Sequence, residues 1–295
     1  MKRIGVIVNP TAGKNTGARL GRTAIATLKQ SGHSVLDLSA ADASRARARG
    51  RAAIDAGMID TLVVVGGDGM THLGANICAG TDIPLGIVAV GTGNDVARTL
   101  GLPVRDPAAG VRHLLGGTVR RLDLARHLTA HGEERWFIGV LGAGFDAIVN
   151  ERANRWSWPK GPMRYTLAMV RELPGFRALP YRIVLDDEVL DMRAMLVAIA
   201  NGPSYGGGMQ VAPDARFDDG LLDVLIVRET SIRGFLKVFP RVFKGTHVGH
   251  DLTLLRRARR IRLEAPGIVT YADGERFAPL PLTVEVVPGA LAVLA

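Results

Sequence analysis

At 295 residues, with 47% hydrophobic and 22% charged residues and 36 glycines spread along it, the chain can bury a large core in two domains; low complexity and disorder are excluded. Its 37 basic and 28 acidic residues leave a formal charge of +9, suited to anionic lipid surfaces, phosphorylated small molecules or nucleic acid. No apolar run approaches the roughly 20 residues of a spanning helix, and the single cysteine, Cys78, excludes an internal disulfide and a thiolate metal cluster, as expected in a reducing cytosol.

Met1-Lys2-Arg3 leads directly into an apolar strand at 3–8, so neither a signal peptide nor a membrane span is expected. A helix over about 14–30 follows, then a strand at 34–38, a helix at 42–56, a strand at 61–65, a helix at 70–79, a strand at 85–90 and a helix from Asp95. Strands alternating with helices predict a mostly parallel sheet covered on both faces, with ligands beyond the carboxyl ends of its strands. Past residue 120 the texture changes. Strand-like segments at 135–141, 181–186, 194–200, 221–228, 260–264 and 282–287, with helices at 161–172 and 231–243, predict a β-rich second domain with inserted helices.

Two arginine runs concentrate the positive charge: Arg45, Arg47, Arg49 and Arg51 in a helix, and Arg256, Arg257, Arg259, Arg260 and Arg262 leading into a strand. No aromatic residue interleaves with either, so base stacking is disfavoured and nucleic acid is not an expected partner.

Three glycine turns fall at the same edge of the predicted sheet. Gly66-Gly67-Asp68-Gly69 follows strand three, Gly91-Thr92-Gly93-Asn94-Asp95 follows strand four, and Asn9-Pro10-Thr11-Ala12-Gly13-Lys14 follows strand one. Such turns let backbone N–H groups approach phosphates at a helix N-terminus. Lys14 is not a Walker lysine, because Val8 and Asn15 break that pattern, and neither Gly67-x-Gly69 nor Gly91-x-Gly93 has the third glycine of a dinucleotide fingerprint.

These motifs continue as Gly144-Phe145-Asp146-Ala147, Gly206-Gly207-Gly208 with Ala212-Pro213-x-Ala215, Asp219-Gly220-x-Leu222-Asp223 and Asp273-Gly274-Glu275. The ordered set resembles the bacterial diacylglycerol kinase and sphingosine-kinase-like lipid kinases over nearly the whole chain. The resemblance implies an NAD-kinase/phosphofructokinase-like α/β domain over 1–120 that binds nucleotide and a β-sandwich-like lipid-substrate domain over 121–285. Residues 286–295 would then return to the first domain. It implies ATP and Mg²⁺ as cofactors, with ATP between the domains and nucleotide contacts from Asn9, Ser39, Gly66, Gly67, Asp68, Gly69, Met70, Thr71, His72, Thr92, Gly93 and Asn94. Asp273 would be the general base toward a lipid hydroxyl, with Glu275 and Asp68 supporting it, although Asp-Gly is also a common turn. A second, structural Mg²⁺ would sit on the Asp219 carboxylate and the main-chain carbonyls of Arg216 and Leu221.

Diacylglycerol is the default acceptor under this reading. The expected setting is the cytoplasmic face of the membrane, with peripheral, electrostatic contact to anionic lipid, and a homodimer is compatible with it. Where the family usually carries Thr, Asn and Glu after Gly-Gly-Asp-Gly, this chain has Met70, His72 and Leu73. Two alternatives therefore stand beside lipid kinase: an NAD-kinase or phosphofructokinase relative acting on a soluble substrate, and a degenerate kinase that binds nucleotide and lipid without turnover.

Overall fold

The computed structural model describes residues 1–10, 17–156, 158, 167, 168, 171, 172, 175 and 177–295, the side chains of 146 and 153–155 excepted. Residues 11–16, with Lys14, the Asp146 side chain and most of the helix expected at 161–172 lie outside these. The chain divides into one unit formed by Met1–Leu124 with Pro288–Ala295 and a second formed by Ala125–Val287.

In the first unit, β1 (Arg3–Val8), β2 (Ser34–Asp37), β3 (Thr61–Gly66), β4 (Leu85–Ala89) and the end of β17 (Leu282–Leu294) run in the order β2-β1-β3-β4-β17, every neighbour parallel. All six residues of β3 are buried, which is why its sequence is continuously apolar from Leu62 to Val65: helices cover both faces. Those helices are α1 (Gly17–Gln30), α2 (Ala43–Asp55), α3 (Asp68–Cys78), α4 (Asp95–Thr99) and α5 (Pro107–Gly116).

Helix α1 buries Gly17, Gly21, Ala24 and Leu28, a three-to-four spacing that turns one stripe to the sheet. The Asp42 carboxylate accepts from Arg45 N at 2.8 Å and caps α2. Part of that helix's arginine run has structural work: Arg49 donates to the Ser39 carbonyl and Arg51 to the Ile77 carbonyl. Helix α5, beyond the sequence expectation, starts where Asp106 accepts from Ala109 N at 2.9 Å with Pro107 in the first turn.

The second unit is antiparallel throughout its named pairings. It holds the end of β5 (Val119–Leu128), then β6 (Glu134–Phe137), β7 (Val140–Gly144), α6 (Phe145–Arg155), β8 (Leu179–Leu185), β9 (Glu188–Ala200), β10 (Ser204–Tyr205) and β11 (Met209–Gln210). After these come β12 (Leu222–Arg228), α7 (Ile232–Val242), β13 (Thr253–Ala258), β14 (Arg260–Glu264), β15 (Val269–Ala272), β16 (Glu275–Pro279) and the start of β17. Strand β9 organises the unit: its first half pairs with β8, and its second half lies between β7 and β12. Phe137, Leu141, Ile183, Ile199, Val224 and Ile261 fill the core around it, each worth about 1.5–3 kcal/mol relative to exposure.

One strand here departs from the expected pattern. The strand read at 135–141 is two strands, β6 and β7, interrupted at Ile138-Gly139. Helix α7 packs Phe235, Val238, Phe239 and Val242 against Leu225 and Val227 of β12, closing an apolar cavity of about 50 Å³ that His247 also lines.

Candidate functional site

Strand β3 ends in Gly66, and Gly67 caps α3 without a side-chain hydrogen bond; its carbonyl accepts from Met70 N at 2.9 Å and Thr71 N at 3.1 Å, which leaves the amides before Met70 at the helix start without an intrahelical acceptor. Beside it β4 delivers the second turn. The two lie in close contact: a Cβ on Gly91 would stand 2.4 Å from the Gly67 Cα, so the second turn tolerates no side chain there, and one on Gly67 would stand 3.1 Å from the Gly91 Cα. Asn94 adopts a left-handed conformation with φ 59°. Its side chain closes the turn on Gly91, accepting from Gly91 N at 3.0 Å and donating to Gly91 O at 2.9 Å.

Asp68 joins the two turns. Its Oδ2 accepts from Asn94 N and its Oδ1 from Asp95 N, both at 2.7 Å, so a carboxylate on α3 caps α4 across 26 residues of sequence. The family resemblance assigns Asp68 a supporting catalytic role, and this capping geometry was not foreseen from the sequence. Gly93 is held just as tightly, since a Cβ there would stand 2.3 Å from Asp68 Oδ2. Gly69 and Thr92 are exposed at the tips of the turns.

The other residues assigned to the nucleotide fall into two groups. Met70 and Thr71 are buried, at 9% and 3% exposure, and Met70 fills the space beside Gly66, where a Cβ would meet its Cγ at 2.3 Å. Leu73 is buried as well. His72 is half-buried, with its Nε2 3.3 Å from Asn76 Nδ2 one turn along α3. At the ends of β1 and β2, Ser39 Oγ accepts from Val8 N at 3.0 Å and Asn9 N donates to Val65 O at 3.0 Å. Asn9, Ser39 and the two glycine turns thus share the carboxyl edge of the parallel sheet, where such sheets take ligands.

In the second unit Asp273 and Gly274 form the two-residue turn of the β15–β16 hairpin, with φ values of 52° and 85°. Two positive φ angles in an Asp-Gly pair are the pattern of a type I′ turn. The turn also presents its carboxylate to the break between β6 and β7. Asp273 Oδ1 accepts from Gly139 N at 2.9 Å and Val140 N at 3.2 Å, while Oδ2 accepts from Ile138 N at 3.1 Å. Three consecutive amides therefore orient one carboxylate, and this is why the strand breaks at Ile138-Gly139: those N–H groups leave the ladder to serve Asp273.

Asn201, fully buried, braces the same segment from behind. Its Nδ2 donates to Ile138 O at 2.9 Å and its N to Gly139 O at 2.8 Å. Neither Gly139 nor Asn201 is singled out by the sequence motifs. Glu275, the first residue of β16, is exposed.

The loop assigned to a structural cation is closed by Asp219 Oδ1 accepting from Leu221 N at 3.1 Å. Asp219 Oδ2 pairs with Arg257, whose Nε lies 3.4 Å from Asp223 Oδ1. Burial raises the pKa of Asp223, with Arg257 opposing and Asp219 and Asp214 adding to the rise. The carboxylate and carbonyl oxygens suit a hard cation such as Mg²⁺, and the Arg257 guanidinium supplies positive charge to the same carboxylates. Among the described residues no group of three His, Cys, Asp or Glu side chains could hold a metal, so main-chain oxygens would have to complete any such set.

Comparison with known proteins follows the same division of the chain. Residues 3–127 match the diacylglycerol kinase catalytic domain, and residues 139–295 match the YegS C-terminal NAD kinase beta sandwich-like domain. A relative named diacylglycerol kinase from Mycobacterium tuberculosis (strain ATCC 25618 / H37Rv) is 42% identical over 293 residues, covering 99% of this chain and 94% of the relative. Among solved structures, a diacylglycerol kinase from Bacillus anthracis str. Sterne superposes with a TM-score of 0.79 at 24% identity, covering 99% of this chain and 96% of that one. An NAD kinase from Archaeoglobus fulgidus, solved in complex with ATP, shares the fold at a TM-score of 0.53 and 12% identity, covering 99% and 93%.

The match to the diacylglycerol kinase catalytic domain and the 42%-identical relative define a kinase. The chain belongs to the diacylglycerol kinase family.

Proposed function

We propose that this kinase transfers the γ-phosphate of ATP to the hydroxyl of a membrane lipid, diacylglycerol giving phosphatidic acid. The observation that carries this reading is the Asp273 carboxylate, oriented by the amides of Ile138, Gly139 and Val140. Support for the acceptor comes from the name carried by the Mycobacterium tuberculosis relative, and for the nucleotide from the ATP complex of the Archaeoglobus fulgidus neighbour.

In this reading the first unit binds the triphosphate through the amides at the start of α3 and the Gly91–Asn94 turn, with Asn9, Ser39, His72 and Thr92 along the same edge. Met70 and Thr71, with buried side chains and amides bonded to the Gly67 carbonyl, shape this turn. Asp68 keeps the two turns in register. The lipid hydroxyl attacks Pγ, its proton passes to Asp273, the Pγ–O bond to the β-phosphate breaks, and ADP leaves. Glu275 supports Asp273. Mg²⁺ arriving with ATP would offset the charge on the triphosphate oxygens. A second Mg²⁺ would be held by the Asp219 carboxylate with the carbonyls of Arg216 and Leu221, taking over positive charge that Arg257 now supplies. The enzyme meets its substrate at an anionic membrane surface on the cytoplasmic side.

The deciding experiment follows labelled γ-phosphate from ATP into diacylglycerol in anionic micelles with Mg²⁺, for the natural protein and for Asp273→Asn. Label in lipid that disappears in the variant supports both acceptor and base. Label in NAD or a sugar phosphate but in no lipid would overturn the acceptor, and full activity in Asp273→Asn would overturn the base.

A further inference from the structure

Helix α7 and the turn after it carry three parallel stripes. The inner stripe, Phe235, Val238, Phe239 and Val242, packs on the second unit; the Phe235 ring stands edge-on to Phe145 with centroids 5.7 Å apart. A second stripe is apolar and open to solvent: Ile232, Leu236 and Phe243 are 37%, 45% and 50% exposed, with Val248 at 41% just beyond. The third, one residue further on at each step, is cationic: Arg233, Lys237, Arg241 and Lys244, all exposed.

Uncompensated charge beside an exposed apolar stripe separates this from an ordinary solvated helix; α1 also carries Arg19, Arg22 and Lys29 with no nearby carboxylate but has no exposed large apolar side chain. No Asp or Glu occurs between Thr230 and His250, although surface helices commonly neutralise their cations with carboxylates one turn away. Among the described residues none of the four cations has an ion-pair partner, whereas the arginines at 182, 193, 256, 257 and 262 all do. Uncompensated positive charge running beside exposed Leu and Phe matches a surface that offers anions and hydrocarbon side by side, which is an anionic lipid headgroup layer. A nucleic acid would satisfy the cations and leave the apolar stripe in water.

We infer that α7 is a membrane-docking helix, its Ile232–Leu236–Phe243 stripe entering the headgroup boundary of an anionic bilayer while Arg233, Lys237, Arg241 and Lys244 engage lipid phosphates. The inference rests on the lipid-kinase reading for its biological sense but not for its test.

The test uses the full chain and sedimentation with vesicles of phosphatidylglycerol mixed with phosphatidylcholine, against phosphatidylcholine alone. Two double variants are compared, Leu236→Glu with Phe243→Glu and Lys237→Glu with Arg241→Glu; all four residues are exposed and none lies in the catalytic machinery. Each pair should weaken binding to anionic vesicles about tenfold or more. Turnover of a short-chain diacylglycerol below its micellar concentration should stay at the natural rate.

Unchanged vesicle binding in both pairs overturns the docking helix, whatever the kinase assay shows. A natural protein that is dimeric, and that Leu236→Glu with Phe243→Glu makes monomeric without loss of vesicle binding, overturns it in favour of a second copy on this face. Vesicle binding through α7 without phosphorylation of any lipid would leave the docking surface standing and sink the acceptor assignment instead.

Discussion

A Cβ on Gly139 would stand 2.7 Å from Asp273 Oδ1, the same oxygen that accepts from the Gly139 N–H at 2.9 Å. Glycine at 139 thus lets backbone and carboxylate approach. Gly139→Ala must displace the carboxylate, and a shift of about 1 Å in a reacting group lowers turnover on the order of a hundredfold. Steady-state kinetics should show kcat falling with the KM for ATP unchanged, because the edge proposed to hold the nucleotide belongs to the other unit. An unchanged kcat would remove Asp273 from the chemistry.

Asp68 should prove structural as well as functional. Its carboxylate accepts two amide hydrogen bonds at 2.7 Å; Asn offers one acceptor oxygen, and its NH₂ group would face an N–H donor. Asp68→Asn should lose about 1.5–3 kcal/mol in urea unfolding without nucleotide. Natural stability in the variant would mean that the cap contributes nothing.

Burial lowers the pKa of His247, with hydrogen bonds to the Val211 and Arg241 backbone acting the other way. The native state then binds fewer protons than the unfolded one, so the stabilising contribution is complete above the unfolded value of about 6.5 and is lost as pH falls through it. The urea midpoint should drop from about pH 7.5 to about pH 5.5, and His247→Gln should flatten that drop. An identical slope in the variant would assign the effect to other groups.

Cys78 is fully buried, and burial pushes its thiol up to about 12, against a smaller opposing effect of Arg51. Because the thiolate is the reactive species, an aromatic disulfide reagent should label the native protein only through unfolding. ATP should slow labelling by stabilising the native state. Rapid stoichiometric labelling without denaturant would contradict the packing of α3.

The first unit was legible because its central strands β3 and β4 are fully buried and read as apolar runs such as Leu62–Val65, each followed by a glycine turn. The second unit was less so. Strands β15 and β16 have four and five residues, too short for a period of two to stand out, and Asp273-Gly274 reads equally as a turn and as a catalytic pair; in the structure it is a turn that presents its carboxylate to three amides. Helix α6, with Asn150, Glu151 and Arg152 in its middle, has only a weak apolar stripe. The tie from Asp68 to Asn94 and Asp95 is set by the parallel pairing of β3 with β4, and nothing local in either segment announces it. Gly139 and Asn201 belong to no motif, and their roles depend on contacts more than 60 residues away in sequence.

The contact between Gly67 and Gly91 leaves the two glycine turns no room to approach further or to vary independently. A side chain on Gly91 would dislodge both, and Asp68 already fastens the second turn to the helix that follows the first. The pair therefore behaves as one rigid hand, and under the proposed nucleotide reading any adjustment to a different nucleotide would fall to the neighbours at Asn9 and Ser39, where side chains can change without unclasping it.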